Sequence, residues 1–258
     1  MRVYVIMTLL VMSLALSLYT HSELPEWSLY TGSFYTSGTY GGDALLEELY
    51  FPISIAYTGT RFGYRMTIPY LMVDAPVIVF DEADLALENP SYLTTRLEGA
   101  GDITASFTAY DLKKNYRYNF AIDISGKIKI ATTEYNPYLS SGENDYEIQC
   151  DFYKFLKRST LFYSAGYRIR GDPEGLELDN VWLHTIGFSY KISPNFKTGL
   201  IYSFRQSSLE YFDPIEEIST FISFNLNKHW QLQLHGISGI SESALDWGAG
   251  ILIKKTFN

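Results

Sequence analysis

Strict alternation of apolar and polar residues is the feature that most limits how this chain can fold. In the stretch 116–130, the even positions hold tyrosine, phenylalanine and isoleucine, with Gly126 as the one exception. The odd positions hold arginine, asparagine, aspartate, serine and lysine, apart from Ala121. Successive side chains of a β-strand point to opposite faces, so this stretch predicts a strand with one apolar face and one charged face.

The same alternation recurs from Trp27 to the C-terminus and predicts an all-β chain of about twelve strands. No long window follows a helical period, so helix is expected only in the first residues and at 81–88. The strands are expected around the segments 27–40, 49–57, 62–72, 103–109, 116–130, 146–152, 161–169, 182–192, 196–204, 218–226, 230–234 and 247–257.

Strand length separates the two folds that alternate in this way, the soluble β-sandwich and the membrane barrel. Sandwich strands average about five or six residues, whereas a tilted strand that crosses a bilayer needs about 9 to 11. The predicted segments are long, and many of the 22 Tyr and 16 Phe lie at their ends. Because outer-membrane barrels carry aromatic girdles at both interfaces, we predict a transmembrane, antiparallel, up-and-down β-barrel with periplasmic termini.

The predicted connections alternate between short turns and long links, which is typical of outer-membrane barrels. The short turns carry Lys113, Lys114, Lys157, Arg158 and Lys228, whereas the long links are rich in aspartate and glutamate. The short turns are expected at 58–60, 113–115, 156–159, 193–195 and 227–229, and the long links at 74–100, 131–145, 171–181 and 207–216.

Composition excludes several other classes of protein. With 47% hydrophobic residues the chain has enough apolar surface to bury, so disorder is excluded. After the first twenty residues no apolar run reaches the roughly 18 that a membrane-spanning helix needs. The net charge of -9 argues against nucleic acid as a partner. The single cysteine, Cys150, excludes an intramolecular disulfide and a cysteine zinc cluster.

Residues 1–22 are predicted to be a secretory signal peptide, which leaves 23–258 as one outer-membrane barrel. Arg2 supplies the positive start and a short apolar stretch follows. A single membrane anchor is the alternative, disfavoured because the apolar stretch is short and interrupted by Ser13 and Ser17.

The polar parity of the predicted strands supplies the candidate lumenal residues. We expect solute or ion selectivity from Arg65, Asp102, Arg117, Asp123, Lys127, Glu147, Asp151, Arg168, Arg170 and Arg205, with Lys129, Lys197, His235 and Lys254 on the same face. Basic residues outnumber acidic ones there, which favours a mildly anion-selective or mixed polar channel. The alternative is that these charges pair across a filled lumen. Counting around the predicted turns places Glu147 beside Arg168 and Asp102 near Lys127.

The longest predicted link, 74–100, contains the apolar run 77–80 beside an acidic stretch. Links of this length are usually functional or disordered. We expect it to fold over or into the barrel mouth as a constriction. The alternative is that it lengthens the flanking strands above the membrane.

Catalytic chemistry has little support in the sequence. Outer-membrane enzymes need a Ser–His pair or a similar constellation at the rim. His184 has lipid-facing parity, His229 lies in a turn, and His235 has no evident orienting partner. No catalytic residue, metal site or cofactor is therefore predicted.

Short motifs in a characteristic order resemble the outer-membrane barrel transporters of the phenol-degradation, MetA-pathway-like family. The resemblance runs from about Tyr40 to the C-terminus. The resemblance implies a channel or uptake function for small solutes, among them aromatic or hydrophobic ones. The chain departs from the family in two places. The family is glycine-rich in the region that corresponds to 74–100, and it usually ends in an aromatic residue, whereas here Asn258 follows Phe257. The matching pieces are 38–43, 51–54, 68–70, 99–103, 142–146, 166–168, 171–173, 180–182 and 246–250.

The sequence therefore predicts a bacterial outer-membrane channel or transporter for passive or facilitated uptake of small solutes. The expected partners are outer-membrane lipid, lipopolysaccharide, the barrel assembly machinery and a small-molecule solute. A closed structural or surface-binding barrel is the alternative, and a lipid-modifying enzyme is a weaker one.

Overall fold

The computed structural model describes residues 25–42, 44–79, 91–111, 118–132, 136, 138–173 and 175–257. The predicted signal peptide, the predicted helix at 81–88 and the candidate Arg117 lie outside these residues. The strands of the described chain are β1 (Glu26–Gly38), β2 (Leu46–Thr58), β3 (Phe62–Val79), β4 (Ser91–Ala100), β5 (Ile103–Ala109), β6 (Phe120–Ile130), β7 (Asp145–Phe155), β8 (Ser159–Ile169), β9 (Val181–Ser193), β10 (Phe196–Arg205), β11 (Ile215–Asn225), β12 (Trp230–Gly239) and β13 (Trp247–Phe257).

Antiparallel pairing of each strand with its neighbours closes these strands into a barrel. β1 pairs with both β2 and β13, so the first and last strands meet. β4 and β5 both pair with β3, one above the other, and together make one element of the wall. Among the described residues the wall therefore has twelve positions, which confirms the predicted strand number.

A bulge separates β4 from β5. Tyr70 faces Ala100 and Thr67 faces Thr104, so two residues of β3 oppose the three residues 101–103. The Gly101 N–H still donates to the Pro69 carbonyl at 3.0 Å, while Pro69 itself has no N–H to give. The extra residue reverses which parity faces inward, as β-bulges do. Asp102 is thereby turned to the inside, where it is buried.

The two faces of the wall differ as the alternation predicts. Ile148 is 61% exposed on the outside, whereas the next-door side chain of Glu147 is 8% exposed on the inside. Exposed isoleucine, leucine, phenylalanine, tyrosine and tryptophan side chains continue around the outer surface. An apolar outer belt with a polar interior is the surface of a transmembrane barrel.

No helix within the described ranges is long and apolar enough to cross a membrane.

Connections at the two ends of the barrel differ in length, as predicted. β2–β3, β7–β8, β9–β10 and β11–β12 are joined by turns of a few residues, at the same end as both termini of the barrel. One of the turns at this end is longer than expected, because β6 begins at Phe120 rather than at Tyr116. Asn119, with φ of 51°, leads into β6. The end with short turns is the periplasmic end in barrels of this class.

Apolar side chains fill part of the interior. Tyr30, Phe34, Ala56 and Leu252 form one buried cluster on β1, β2 and β13. The Phe34 ring occupies the space that a side chain at Gly250 would need, so glycine is required at that position. A second cluster, Ala121, Tyr153, Phe162, Ile201 and Phe221, lies towards the periplasmic end on β6 to β11.

Candidate lumenal site

A row of charged side chains crosses the inner wall from β3 to β8. Arg65 faces Ser106, and Ser106 faces Lys127. Lys127 faces Glu147, which in turn faces Arg168. Because all five positions share the inward parity, the row places cations on both sides of one carboxylate. We call Arg65, Ser106, Lys127, Glu147 and Arg168 the charged row.

The predicted pair Glu147–Arg168 is confirmed. Nε and Nη2 of Arg168 donate to Glu147 Oε2 at 2.9 and 2.7 Å. The two side chains are only 4% and 8% exposed, so the pair is buried. Removal of one partner from a buried pair leaves an uncompensated charge, which is costly.

The predicted pair Asp102–Lys127 is wrong. Lys127 faces Ser106, four residues further along than predicted. The cause is that β6 extends four residues beyond its pairing with β5. Ala109 faces Ile124, so residues 120–123 have no partner in β5 and the register is displaced by four residues. Asp102 instead pairs with Lys129, whose Nζ lies 3.3 Å from Asp102 Oδ2 and 3.3 Å from Asp145 Oδ2.

The link between β6 and β7 folds into the external mouth. The Ser140 hydroxyl is buried and donates to Asp102 Oδ1 at 2.5 Å. Lys129 Nζ donates to the Ser141 hydroxyl oxygen. Tyr138 and Leu139 then pack against the buried cluster of Leu71, Val73 and Ala75 on β3. This link, rather than 74–100, therefore narrows the described mouth.

The expectation that 74–100 folds over the mouth is wrong for its described part. Residues 70–79 of β3 pair in register with 91–100 of β4, so the flanking strands are lengthened into a hairpin. Continued main-chain pairing satisfies the backbone of this apolar stretch without folding it inward. On its outer face Arg96 pairs with Asp74 at 2.5 Å. The tip, 80–90, lies outside the described residues.

Two predicted lumenal carboxylates face each other below the charged row, Asp123 on β6 and Asp151 on β7. The Asp111 N–H donates to Asp123 Oδ1 at 2.7 Å. Asp151 Oδ1 accepts from the Ser164 hydroxyl and from Gln149 Nε2, the latter at 2.7 Å. Both carboxylates therefore already have donors.

The other predicted inward residues are divided between pairing and packing. The Arg65 guanidinium lies over the Tyr30 ring at 4.6 Å. Lys254 pairs with Glu26 at 3.1 Å. His235 lies between two buried rings, with its ring centroid 5.6 Å from Phe34 and 6.3 Å from Phe221.

Arg170 follows β8 at the external end. Its Nε lies 3.4 Å from Asp145 Oδ2, yet this buried atom has no hydrogen-bond acceptor among the described residues. Burial is the main cause that lowers the pKa of Arg170, opposed by the nearby Asp145 carboxylate and assisted by Arg168. The guanidinium is therefore held in an environment that its present partners do not fully satisfy.

Lys127 and Arg205 stand apart from the paired cations. Neither makes a hydrogen bond or an ion pair within 4 Å in the described part of the chain. Both have Glu147 and Arg168 among their charged neighbours. Lys127 also has Asp145 and Arg205 nearby, and Arg205 also has Arg170 and Glu217. Their donors are free to meet water or a solute.

Sequence reasoning missed Asp145, Ser140 and Glu217. Asp145 has the same parity as Glu147, but the predicted link 131–145 includes it. Ser140 could not be found, because a link carries no period that shows which way its side chains point. Glu217 is buried on the inward face of β11, whose predicted segment began one residue too late to include it.

An open cavity of about 110 Å³ lies along the inner face of β2, β3, β5, β6 and β7. It reaches from the charged row to Thr58 and Tyr110, which lie beside periplasmic turns. Burial raises the pKa of the Tyr110 hydroxyl, so it is protonated at neutral pH. A polar route thus connects the middle of the barrel with its periplasmic end.

Comparison with known proteins finds similarity in fold rather than in sequence. No family model matches the chain. No curated protein matches it either. An outer membrane channel from Pseudomonas putida F1 is 14% identical with a TM-score of 0.71, over 93% of this chain and 98% of that one.

Two further solved barrels extend this similarity. The KdgM porin is 8% identical with a TM-score of 0.56, over 90% of this chain and 99% of that one. The CymD monoaromatic hydrocarbon channel is 10% identical with a TM-score of 0.51, over 92% of this chain and 89% of that one. At these identities the comparisons establish the outer-membrane barrel fold, in agreement with the motif resemblance.

Proposed function

We propose that the protein is a bacterial outer-membrane channel for passive or facilitated passage of small solutes. The observation that carries the proposal is the cavity, which runs from the charged row to the periplasmic turns inside an apolar outer belt. A barrel that served only as a support would be stabilised by a fully packed interior. Selectivity would come from the inward cations and carboxylates, as in other charged pores.

The route would follow the inner face of β3, β5, β6 and β7, since the cavity lies there. The link 131–144 would control entry, because Tyr138 and Leu139 cover part of the mouth. Movement of these two side chains, rather than of the wall, would then widen the channel. Barrels of this size leave limited interior space, which restricts passage to small solutes.

Aromatic or hydrophobic solutes are part of the proposal. The motif resemblance supports them, and the similar CymD barrel is a monoaromatic hydrocarbon channel. Aromatic side chains that line the cavity, such as Tyr110 and Tyr153, offer surfaces against which an aromatic solute can stack.

An enzymatic role has less support. His184 points outward and hydrogen-bonds the Tyr163 hydroxyl at 2.9 Å. His235 lies between apolar rings, and its polar contact is Gln233 at 3.3 Å. Within the part of the chain that the structure describes, neither histidine has the serine or carboxylate partner that a hydrolase needs.

The proposed surroundings follow from the outer surface. Lipid would contact the apolar belt, and lipopolysaccharide would surround the external links. The assembly machinery of outer-membrane barrels would insert the chain, and its C-terminal strand ends at the aromatic Phe257.

Single-channel recording in planar bilayers tests the proposal, with the purified protein under a KCl gradient. Discrete current steps with a defined reversal potential are expected. The rival is a closed structural barrel, which the cover formed by Tyr138 and Leu139 favours. Absence of current from protein that is shown to be folded would support this rival.

A further inference from the structure

We propose that Lys127, Arg168, Arg170 and Arg205 form a binding site for the carboxylate group of a small solute. We call these four side chains the cationic cluster. The inference rests on the proposed channel function, in that the ligand would be a permeating solute. Beyond a channel, the cluster would give the lumen a defined place at which the carboxylate group of the solute is recognised.

Strand pairing brings these cations to one region of the inner wall. Lys127, Glu147 and Arg168 are consecutive partners in the charged row. Arg205 faces Leu183, which faces Gly166, two residues before Arg168 on β8. Two strand spacings, about 10 Å, therefore separate Arg205 from β8, within reach of two long side chains.

The cationic cluster has more N–H donors than its partners use. Arg168 donates two hydrogen bonds, from Nε and Nη2, to a single oxygen atom, Glu147 Oε2. Arg170 Nε is buried without an acceptor. Lys127 and Arg205 donate to no group in the described chain. A buried cationic donor is normally satisfied, so Arg170 Nε points to a ligand or solvent acceptor, while the half-buried Lys127 and Arg205 present their donors to the lumen.

The acceptors nearby do not show a matching surplus. Asp145 serves both Lys129 and Arg170, at 3.3 and 3.4 Å. Below the row, Asp123 and Asp151 accept hydrogen bonds from the backbone, a serine and a glutamine. Glu217 is a further carboxylate close to Arg205. In the described chain Glu147 Oε1 and the two Glu217 oxygens accept no hydrogen bond, yet they are fewer than the unused N–H groups of Lys127, Arg168 and Arg205. The local shortage is therefore of oxygen acceptors rather than of N–H donors.

The charge balance selects a monovalent anion. The four cations of the cluster face three carboxylates, those of Asp145, Glu147 and Glu217. One positive charge remains, and the Lys129–Asp102 pair leaves this balance unchanged. A guanidinium binds a carboxylate through two parallel hydrogen bonds, which makes a monocarboxylate the best match in charge and shape.

Binding of benzoate to the full-length protein in detergent, measured by calorimetry, tests the inference. Benzamide, its neutral counterpart, is expected not to bind. The variants Lys127→Gln and Arg205→Gln are each expected to weaken benzoate binding by at least about tenfold, as loss of a charge-assisted hydrogen bond does. Arg205→Lys, which keeps the charge but loses the fork, is expected to weaken it less.

Lys197→Gln is the matched control. Lys197 is also on β10 with inward parity and lies eight residues before Arg205, outside the cluster. Its loss is expected to leave benzoate affinity unchanged. Equal weakening by Lys197→Gln and Arg205→Gln would overturn the site, because it would show a general effect of lumenal charge. Tighter binding of inorganic phosphate than of benzoate would overturn the carboxylate assignment.

Conductance separates the failure of this inference from the failure of the channel proposal. Current without benzoate binding would remove the site and leave the channel standing. Benzoate binding with the expected pattern of variants, but without current, would keep the site and remove the channel.

Discussion

The two sides of the lumen are built from the same alternating pattern yet end in different states. On β1 and β13, inward side chains pack against one another, with Phe34 lying over Gly250 and Leu252 buried beside it. An open cavity borders the inner face of β3, β5, β6 and β7, and the side chains that β5 and β6 turn towards it are short or charged. We call these the packed side and the open side.

Alternation decides which residues face inward, but the size of those residues decides whether the interior is filled. Large rings opposite glycines fill the packed side and leave no room for solvent. Serines and threonines on the open side, such as Ser106 and Thr108, are too small to reach across. A solute therefore has a polar route on one side of the barrel.

Removal of a ring from the packed side is expected to have the largest effect on stability. Phe34→Ala should lower the free energy of unfolding by about 3 to 5 kcal/mol, because the ring is buried and the cavity cannot collapse. Urea unfolding in lipid vesicles measures this. Phe107→Ala is the control: Phe107 lies on the outer face, where lipid can fill the space that the ring leaves, so its loss should cost clearly less. Equal losses would show that the packed side is not a core.

Loss of one partner of the buried pair on the open side should come next. Glu147→Gln is expected to lower the free energy of unfolding by about 2 to 3 kcal/mol, since Arg168 keeps its charge without a counter-charge. The double variant with Arg168→Gln should recover part of this loss. A double variant as unstable as the sum of the two single ones would show that the pair is not coupled.

The cover of the mouth is expected to affect conductance more than stability. Leu139→Ser should raise single-channel conductance several-fold, because it weakens the packing of the link on Leu71 and Val73. Its cost in stability should be about 1 to 2 kcal/mol. Deletion of 76–92 should leave conductance unchanged, since the described ends of that segment pair with each other as a hairpin. If the deletion of 76–92 raised conductance and Leu139→Ser did not, the hairpin rather than the link 131–144 would form the constriction.

The smallest effect is expected at the exposed pair on the hairpin. Arg96 is 61% exposed where it meets Asp74, and solvent and salt screen such pairs. Arg96→Ala should therefore leave the urea midpoint within experimental error. A clear loss of stability would indicate that the hairpin contributes to the barrel more than its packing suggests.

The fold could be predicted from the sequence because strand length, parity and turn position repeat along the chain. The pair Glu147–Arg168 followed from a short turn whose length the sequence shows. The partner of Asp102 could not be predicted, because residues 120–123 of β6 do not pair with β5, and no turn signal in the sequence shows this offset. Register depends on the turn, and an error there moves every later partner.

The cover of the mouth was beyond sequence reasoning for a different reason. Residues 136–141 and the run 77–80 both contain apolar side chains, and neither has a period that shows its direction. Asp102 and Lys129 hold the first segment inward through Ser140 and Ser141. In the second, residues 77–79 pair with β4, since the backbone of β3 continues without a break as far as residue 79.

Cysteine accessibility tests most directly whether the solute route follows the open side. In a Cys150→Ser background, Ser106→Cys places a thiol on the open side and Ser28→Cys places one on the packed side. Both positions lie in the same row across the wall, joined through Ala56 and Arg65. A negatively charged methanethiosulfonate should block the current through Ser106→Cys and leave Ser28→Cys conducting. Block at Ser28→Cys alone, or equal block at both, would contradict the account.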